Sequence, residues 1–425
     1  MINENKSFNL PTLSKFAILL GIICIYIRSG SPYSLTFQAL SLYLYVALSG
    51  IIILYGILHS PKEKGDPLLV FLLIVFCITI LVTMITAQDF SAYRNYVIQI
   101  LMCVDAYLIL RMFGVSNTVK LWIRSMRVIV ICSLCLYVLI KMGLHIFPTL
   151  VTSNNQYYTV FLASQLIYDG RISGSFWEPS MYAVFLAFTL LFELLTEEKY
   201  GKYKLWITLE TIALLLAGSL SSVVFIVLIS YVVLYHRIQR KSSKILFISA
   251  VIAFVVFFIF AFDSIMDSLY KILPNLFYKF FEKDVSYLTR LNNPIGDLLA
   301  CWDNPMGVGM VNVEGIVRQY AHNFTGDSRA IIARTSTWSY YFAAFGWVSG
   351  LAVNSIWIVG VIRNRRYSLS QNIVILFILL YAFTSITLVS NQMYWILLMI
   401  IFFSSSASRN STMNQSGVLK EKNYG

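Results

Sequence analysis

The sequence has few charged residues and many apolar ones. Only 12% of its 425 residues are Asp, Glu, Lys or Arg, whereas 58% are hydrophobic, and a soluble domain carries about 25% charged residues. This shortage of charge excludes an ordinary soluble protein. The apolar residues also occur in runs of about 20, which is the length of helix needed to cross a bilayer. The composition therefore predicts a protein with many membrane spans.

Histidine and accessible cysteine are also scarce. The chain has four His and six Cys, and no His, Cys and Asp residues are spaced as in a zinc site. Five of the cysteines fall in apolar runs and only Cys301 lies in a predicted loop, so an external disulfide framework is excluded. The pair Cys132 and Cys135 lies in an apolar helix, where two small buried side chains are favoured over a redox pair. No metal or cofactor is predicted.

The two halves of the chain show no repeated hydropathy pattern, which weakens the case for a secondary transporter. The N-terminal dozen residues are polar and lead into an apolar run without a small-residue cleavage site, which predicts a signal anchor. Twelve hydrophobic segments follow, at about 12–29, 34–58, 67–87, 95–113, 121–144, 179–196, 203–217, 219–236, 244–262, 338–361, 371–389 and 392–405. The break at 218–222 is compatible with a hairpin or a re-entrant element, so ten to twelve spans are predicted.

The basic residues fix the predicted orientation. With both termini on one side, that side carries 21 of the 32 Lys and Arg residues, while the other side has four in short loops and seven in a long one. An excess of basic residues marks the cytoplasmic side. We therefore predict that both termini are cytoplasmic and that the net charge of +12 reflects membrane topology and not nucleic-acid binding.

Two predicted extracytoplasmic loops are long, one at about 145–178 and one at 263–337. The second has apolar residues at helical spacing, which predicts short amphipathic helices on the outer surface; they are Ile265, Leu269, Ile272, Leu276, Phe280, Ile295, Leu298, Leu299 and Trp302. The predicted fold is an all-α polytopic membrane protein. Its parts are nine spans in 1–262, the large loop 263–337, C-terminal spans in 338–405 and a cytoplasmic tail at 406–425.

The stretch GRISGSFWEPS, from Gly170 to Ser180, places charges at the outer end of a span. Pro179 suits the first turn of a helix, whose N-terminus attracts anions. Arg171 carries a planar guanidinium that suits phosphate. The alternative is that Arg171 contacts lipid headgroups and that Glu178 is only solvated.

Two further stretches in the large loop have similar features. Arg290 precedes NPMGVG, in which Gly307 and Gly309 allow the backbone to approach a ligand closely, although an ordinary surface turn is equally compatible. Arg334 precedes the next predicted span, so two helices that enter the membrane each begin beside an arginine. This repetition predicts an extracytoplasmic site for an anionic group. His322 is a candidate general base, although a loop histidine is more often only solvated.

Taken in order, these motifs resemble those of bacterial O-antigen and capsular polysaccharide polymerases (Wzy-type), which are related to O-antigen ligases. The matching pieces are R-x-x-G-x-F-x-x-P at 171–179, GS-x-S at 218–221, Arg290 followed by NP-x-G-x-G at 304–309, and the segment from Arg334 to Gly350 with its F-G-W. They cover about 180 residues, and the N-terminal third matches only in hydropathy.

The resemblance implies an enzyme that works without a metal or a nucleotide sugar. It would transfer a glycan from undecaprenyl diphosphate to another lipid-linked repeat unit on the outer face of the bacterial cytoplasmic membrane, with a chain-length regulator protein as a candidate partner. It implies that Arg171 and Arg290 engage the diphosphates, and we add Arg334, Gly307 and Gly309 as binding candidates. Glu178 or His322 would be the general base.

Ligase-type relatives carry His-Asn just ahead of the span with the glycine pair, where this chain has Arg334-Thr335-Ser336. This departure counts against ligase activity. An O-antigen ligase-type transferase stays open as an alternative, as do a lipid-linked glycan flippase and a non-enzymatic membrane scaffold. A flippase should carry its charges along a pathway in the middle of the bundle.

Overall fold

The computed structural model describes the following residues of the chain: 28, 30–58, 65–151, 155–160, 162–167, 170–196, 204–238, 242–243, 249, 285–326, 334–364 and 367–405. The described chain is mostly helical, as predicted. Its helices are α1 (Pro32–Thr36), α2 (Gln38–Leu58), α3 (Pro67–Thr86), α4 (Tyr93–Phe113), α5 (Val115–Lys141), α6 (Pro179–Thr196), α7 (Lys204–Leu216), α8 (Leu220–Arg237), α9 (Val285–Asp303), α10 (Val313–Thr325), α11 (Tyr340–Ile362), α12 (Leu369–Ser385) and α13 (Gln392–Ser405).

Five of these helices, α2, α3, α4, α5 and α11, are long and apolar enough to cross a membrane, and α6, α8, α12 and α13 are shorter apolar helices. Ten of the twelve predicted spans therefore coincide with helices. The predicted spans at 12–29 and 244–262 and the tail at 406–425 lie almost wholly outside the described residues. The orientation of the termini stays a prediction.

A small β-sheet occupies the segment that was predicted only as a loop at 145–178. Four antiparallel strands pair in the order β1-β2-β3-β4, and they are β1 (Thr149–Val151), β2 (Gln156–Val160), β3 (Ala163–Leu166) and β4 (Ile172–Gly174). In β2, Tyr157 and Thr159 are buried while their neighbours are more exposed, which is the alternation expected of a sheet with one covered face. The sheet fixes the chain directly ahead of α6.

The described part of the large loop contains two helices. In α10, Val313, Val317 and Ala321 are buried at a spacing of four residues, and α10 packs on α9, where the carbonyl of Val317 lies 2.8 Å from the position a Cβ would take on Gly296. This part of the loop is thus helical, while the placement of its helices on the outer surface stays a prediction. The predicted pattern from Ile265 to Phe280 lies outside the described residues.

The turn NPMGVG inserts into a break in α11. Gly346 has φ +82° and ψ 178°, which interrupts the helix. The freed carbonyls of Ala343 and Ala344 accept hydrogen bonds from the N–H groups of Val308 (2.9 Å) and Gly309 (3.1 Å), and Trp347 N–H donates to the carbonyl of Pro305 (3.0 Å). Backbone therefore approaches backbone here, and two motifs far apart in sequence form one joint.

We expect Gly346→Ala to weaken this joint strongly. Its backbone conformation is essentially restricted to glycine and costs other residues about 1–3 kcal/mol, and an added Cβ would lie 2.3 Å from the carbonyl oxygen of Pro305. The thermal unfolding midpoint of the purified chain in detergent should fall clearly.

Gly315→Ala is the matched control, because Gly315 is exposed in α10 and a Cβ there meets nothing within 4 Å. Removing a helical glycine should stabilise the chain slightly. Equal midpoints for the two variants would contradict the role assigned to the joint.

Candidate functional site

Arg171 lies across the turn that joins α7 to α8. It directly precedes β4, and its carbonyl accepts a hydrogen bond from Leu166 N–H (3.0 Å). A Cβ on Gly218, which has φ +59°, would lie 2.8 Å from Cδ and 2.9 Å from Cγ of Arg171. Only a glycine lets the arginine side chain pass so close to this turn. The contact brings together two of the sequence motifs, R-x-x-G and GS-x-S.

The first turn of α8 has polar groups that are buried and unsatisfied. Ser219 occupies the N-cap position, but its side chain makes no capping hydrogen bond. The hydroxyls of Ser219 and Ser222 are both buried and find no hydrogen-bond partner among the described residues. A helix N-terminus carries free N–H groups and partial positive charge. This turn can therefore accept an anion without displacing an internal partner.

Arg290, in α9, is linked to the same turn through Tyr381. Its Nε is buried and has no hydrogen-bond partner in the described chain, and its charge acts on the phenol of Tyr381 in α12. The hydroxyl of Tyr381 in turn donates to Oγ of Ser221 at 3.4 Å. Tyr381 thus connects Arg290 to the turn that Arg171 crosses from the other direction. We call Arg171, Arg290, Tyr381 and residues 218–222 the arginine cluster.

Arg334 has an internal partner. Its Nη2 lies 2.6 Å from Oδ1 of Asp297 in α9, and both side chains are largely buried. Oγ of Ser339 donates to Oδ2 of Asp297 at 2.6 Å, and the guanidinium also lies over the ring of Tyr340, 5.0 Å from its centroid. Burial raises the pKa of Asp297, and the charge of Arg334 opposes that shift.

The ion pair attaches the start of α11 to the helix that carries Arg290. A further hydrogen bond, from Nδ2 of Asn293 to Oγ1 of Thr335 (3.0 Å), joins the same two segments. Asn293 and Asp297 follow Arg290 by three and seven residues, so all three lie along one side of α9. Asp297 offsets the charge of Arg334, while Nε and Nη1 of Arg334 are buried with no hydrogen-bond partner among the described residues, and its role in binding stays a prediction.

The two candidate bases are placed differently. Glu178 is half-buried, and its carbonyl accepts from the N–H groups of Met181 (3.1 Å) and Tyr182 (3.2 Å), so α6 begins at Pro179 as predicted. His322 is exposed on α10, and in the described part of the chain no side chain bonds to it. Both roles as base stay predictions.

Packing within the protein explains why residues 307 and 309 are glycines. A Cβ on Gly307 would lie 2.5 Å from the carbonyl of Ala344, and one on Gly309 would lie 2.8 Å from Oδ2 of Asp89. The close approach predicted for a ligand is thus made by the protein itself, which the sequence did not indicate. Their role in binding a glycan stays a prediction.

Sequence reasoning identified the break at 218–222 but not the chemistry it carries. Ser219, Ser222 and Tyr381 were not among the predicted site residues. The two serines could have been found from their position at the start of a span, because Ser is a common N-cap. Tyr381 gives no signal, since it is one aromatic residue in an apolar helix.

Two acidic residues in the apolar helices α6 and α7 share one arginine. Arg127 in α5 places its Nε 2.9 Å from Oε1 of Glu193 and 4.0 Å from Oε1 of Glu210. Both carboxylates are buried. Among the described residues, no group of three or more His, Cys, Asp and Glu could hold a metal ion.

The chain was also compared with known proteins. No protein-family model matches it, and no curated protein matches it in sequence. What the arginine cluster binds must therefore be inferred from its own chemistry.

Proposed function

We propose that the protein is a membrane polysaccharide polymerase. It transfers a glycan carried on undecaprenyl diphosphate to another lipid-linked repeat unit on the outer face of the bacterial cytoplasmic membrane, with both termini in the cytoplasm. The single observation that carries this proposal is that Arg171 passes close to the turn ahead of α8, while the charge of Arg290 acts on Tyr381, whose hydroxyl bonds to that turn. The resemblance of the motifs to such polymerases is the second support.

The cluster suits a diphosphate for three reasons. Two guanidinium groups offset negative charge and donate several hydrogen bonds in a planar geometry that matches phosphate oxygens. The first turn of α8 adds N–H groups and partial positive charge. The unsatisfied hydroxyls of Ser219 and Ser222 add donors that need a ligand or water.

In the proposed reaction, an acceptor sugar hydroxyl attacks the anomeric carbon of the donor glycan. The bond between that carbon and the diphosphate oxygen breaks, and undecaprenyl diphosphate leaves with the bonding electrons. Negative charge grows on the leaving group, where Arg171, Arg290 and the α8 N-terminus stabilise it. A general base takes the hydroxyl proton, and Glu178 and His322 are the candidates. Arg334 and Asp297 hold α9 in place.

A deletion strain distinguishes this function from its alternatives. Surface glycan and lipid-linked intermediates are separated on a gel, and the intermediates are assigned to one face of the membrane. The proposal predicts that glycan of one repeat unit reaches the surface. Absence of surface glycan together with accumulated polymer would instead indicate a ligase, and an intermediate retained on the cytoplasmic face would indicate a flippase.

A further inference from the structure

Asp105 is a fully buried acidic residue that the proposed reaction does not use. It lies in the middle of α4, and its side chain is 0% exposed. Oδ1 accepts a hydrogen bond from Oγ of Ser49 (2.9 Å), and Oδ2 lies 3.0 Å from the hydroxyl of Tyr45, both in α2. An ionised carboxylate is costly at this depth in an apolar bundle unless a cation pairs with it. No basic side chain of the described residues forms an ion pair with Asp105.

The hydroxyl of Tyr45 also touches a second acceptor. Oε1 of Gln392, at the start of α13, lies 3.0 Å from it. The orientation of the Gln392 amide is set at its other end, because Nε2 donates to the carbonyl of Met102 at 3.0 Å. Reversing the amide would place two carbonyl oxygens against each other. Oε1 is therefore the atom that faces Tyr45.

The number of hydrogens on the Tyr45 hydroxyl bears on whether the carboxyl group of Asp105 is protonated. A tyrosine hydroxyl has one hydrogen and can donate only once. If it donates to an ionised Asp105, then Oε1 of Gln392 faces an oxygen without a hydrogen between them. If Asp105 carries a proton, Oδ2 donates to Tyr45, Tyr45 donates to Gln392, and Gln392 donates to Met102. Every contact is then satisfied, as buried polar groups require.

We propose that Asp105 is a protonated carboxylic acid at neutral pH and that Asp105, Tyr45 and Gln392 form a single-proton binding site. The bound proton completes a chain of hydrogen bonds that joins α2, α4 and α13. The backbone N–H of Gln392 also donates to the carbonyl of Arg28 (3.1 Å), so the chain positions the segment that leads into α1. This inference is independent of the proposed function.

Among the described residues, few other titratable or charged groups face this site. Arg28 lies over the ring of Tyr45, 5.7 Å from its centroid, and forms no ion pair with Asp105 in the described part of the chain. The thiol of Cys103 lies near Asp105 and contacts the thiol of Cys77 in α3. Neither thiol supplies a positive charge that would favour an ionised Asp105.

Infrared difference spectroscopy of the full-length chain in lipid tests the proposal. Subtracting the spectrum of Asp105→Asn from that of the wild type at neutral pH should reveal the C=O stretch of an un-ionised carboxylic acid. If the Asp105→Asn spectrum instead lacks a carboxylate band that the wild type has, the proposal is overturned. Glu210→Gln serves as a control, since it leaves the Asp105 band in place.

Tyr45→Phe provides a second arm that does not rely on folding of the Asn variant. Because Asp105 donates a hydrogen bond to the Tyr45 hydroxyl in the proposed chain, removing this hydroxyl should shift the C=O band of the protonated aspartate. Isotope labelling of aspartate assigns the band. An unshifted band, or the absence of any aspartic acid band in the wild type, would contradict the proposed proton site.

Discussion

Arg290→Ala should abolish long-chain polymer while single-repeat glycan persists. The buried Nε of Arg290 has no hydrogen-bond partner among the described residues, so we expect its charge to be available to a departing diphosphate. Removing one such donor from a preorganised site typically lowers the rate by about 100-fold to 1,000-fold. The measurement is the chain-length distribution of surface glycan in a deletion strain that expresses the variant at the wild-type level.

Arg171→Ala should give the same phenotype, because Arg171 crosses the same turn from the side of the sheet. Lysine at either position keeps the charge but loses the planar pair of donors, so these variants should retain only part of the polymer. Arg318→Ala is the control, because Arg318 lies in the same large loop as Arg290 but is exposed and pairs with Glu314 at 2.9 Å. A wild-type chain-length distribution in both Arg171→Ala and Arg290→Ala would refute the role assigned to the arginine cluster.

The second large effect concerns the buried pair of Arg334 and Asp297. Arg334→Met leaves a fully buried carboxylate without its partner, and breaking a buried pair in this way costs about 3–5 kcal/mol. The midpoint of thermal unfolding in detergent should fall by several degrees. Arg318→Met is the control, since an exposed pair contributes only about 0–1 kcal/mol.

The double variant Arg334→Met/Asp297→Leu separates positioning from binding. It removes both charges, and replacing a buried pair by apolar residues is often neutral or stabilising. If Arg334 only positions α9, the double variant should regain most of the stability and also polymer synthesis. Recovered stability without polymer would show that Arg334 binds the substrate itself.

Much of the helical scaffold could be predicted from the sequence. Apolar runs such as Pro67–Thr86 are long enough to cross a membrane, and their length alone predicts a helix. The Asp66 cap that precedes this helix and the Pro179 at the start of α6 have local signals of the same kind. The strands at 149–174 are three to five residues long, too short for an alternating pattern to be conclusive.

The candidate site was predictable only in part. Arg171 could be chosen because basic residues are rare in the short predicted extracytoplasmic loops, and Arg290 because its place ahead of NP-x-G-x-G resembles that in the polymerases. That Tyr381 connects Arg290 to the α8 turn depends on how three distant segments pack, and no local pattern encodes such a contact. The partner of Arg334 was hidden for the same reason, since Asp297 precedes it by 37 residues and lies on a different helix.

Reconstitution offers the most direct test of the proposed function. The purified full-length chain is placed in liposomes together with undecaprenyl-diphosphate-linked repeat units, and the lipid-linked products are separated by size. The proposal predicts a ladder that grows by one repeat unit per step, with release of undecaprenyl diphosphate, and it predicts that Arg290→Ala gives no ladder. Repeat units that stay single with the wild-type chain would contradict it.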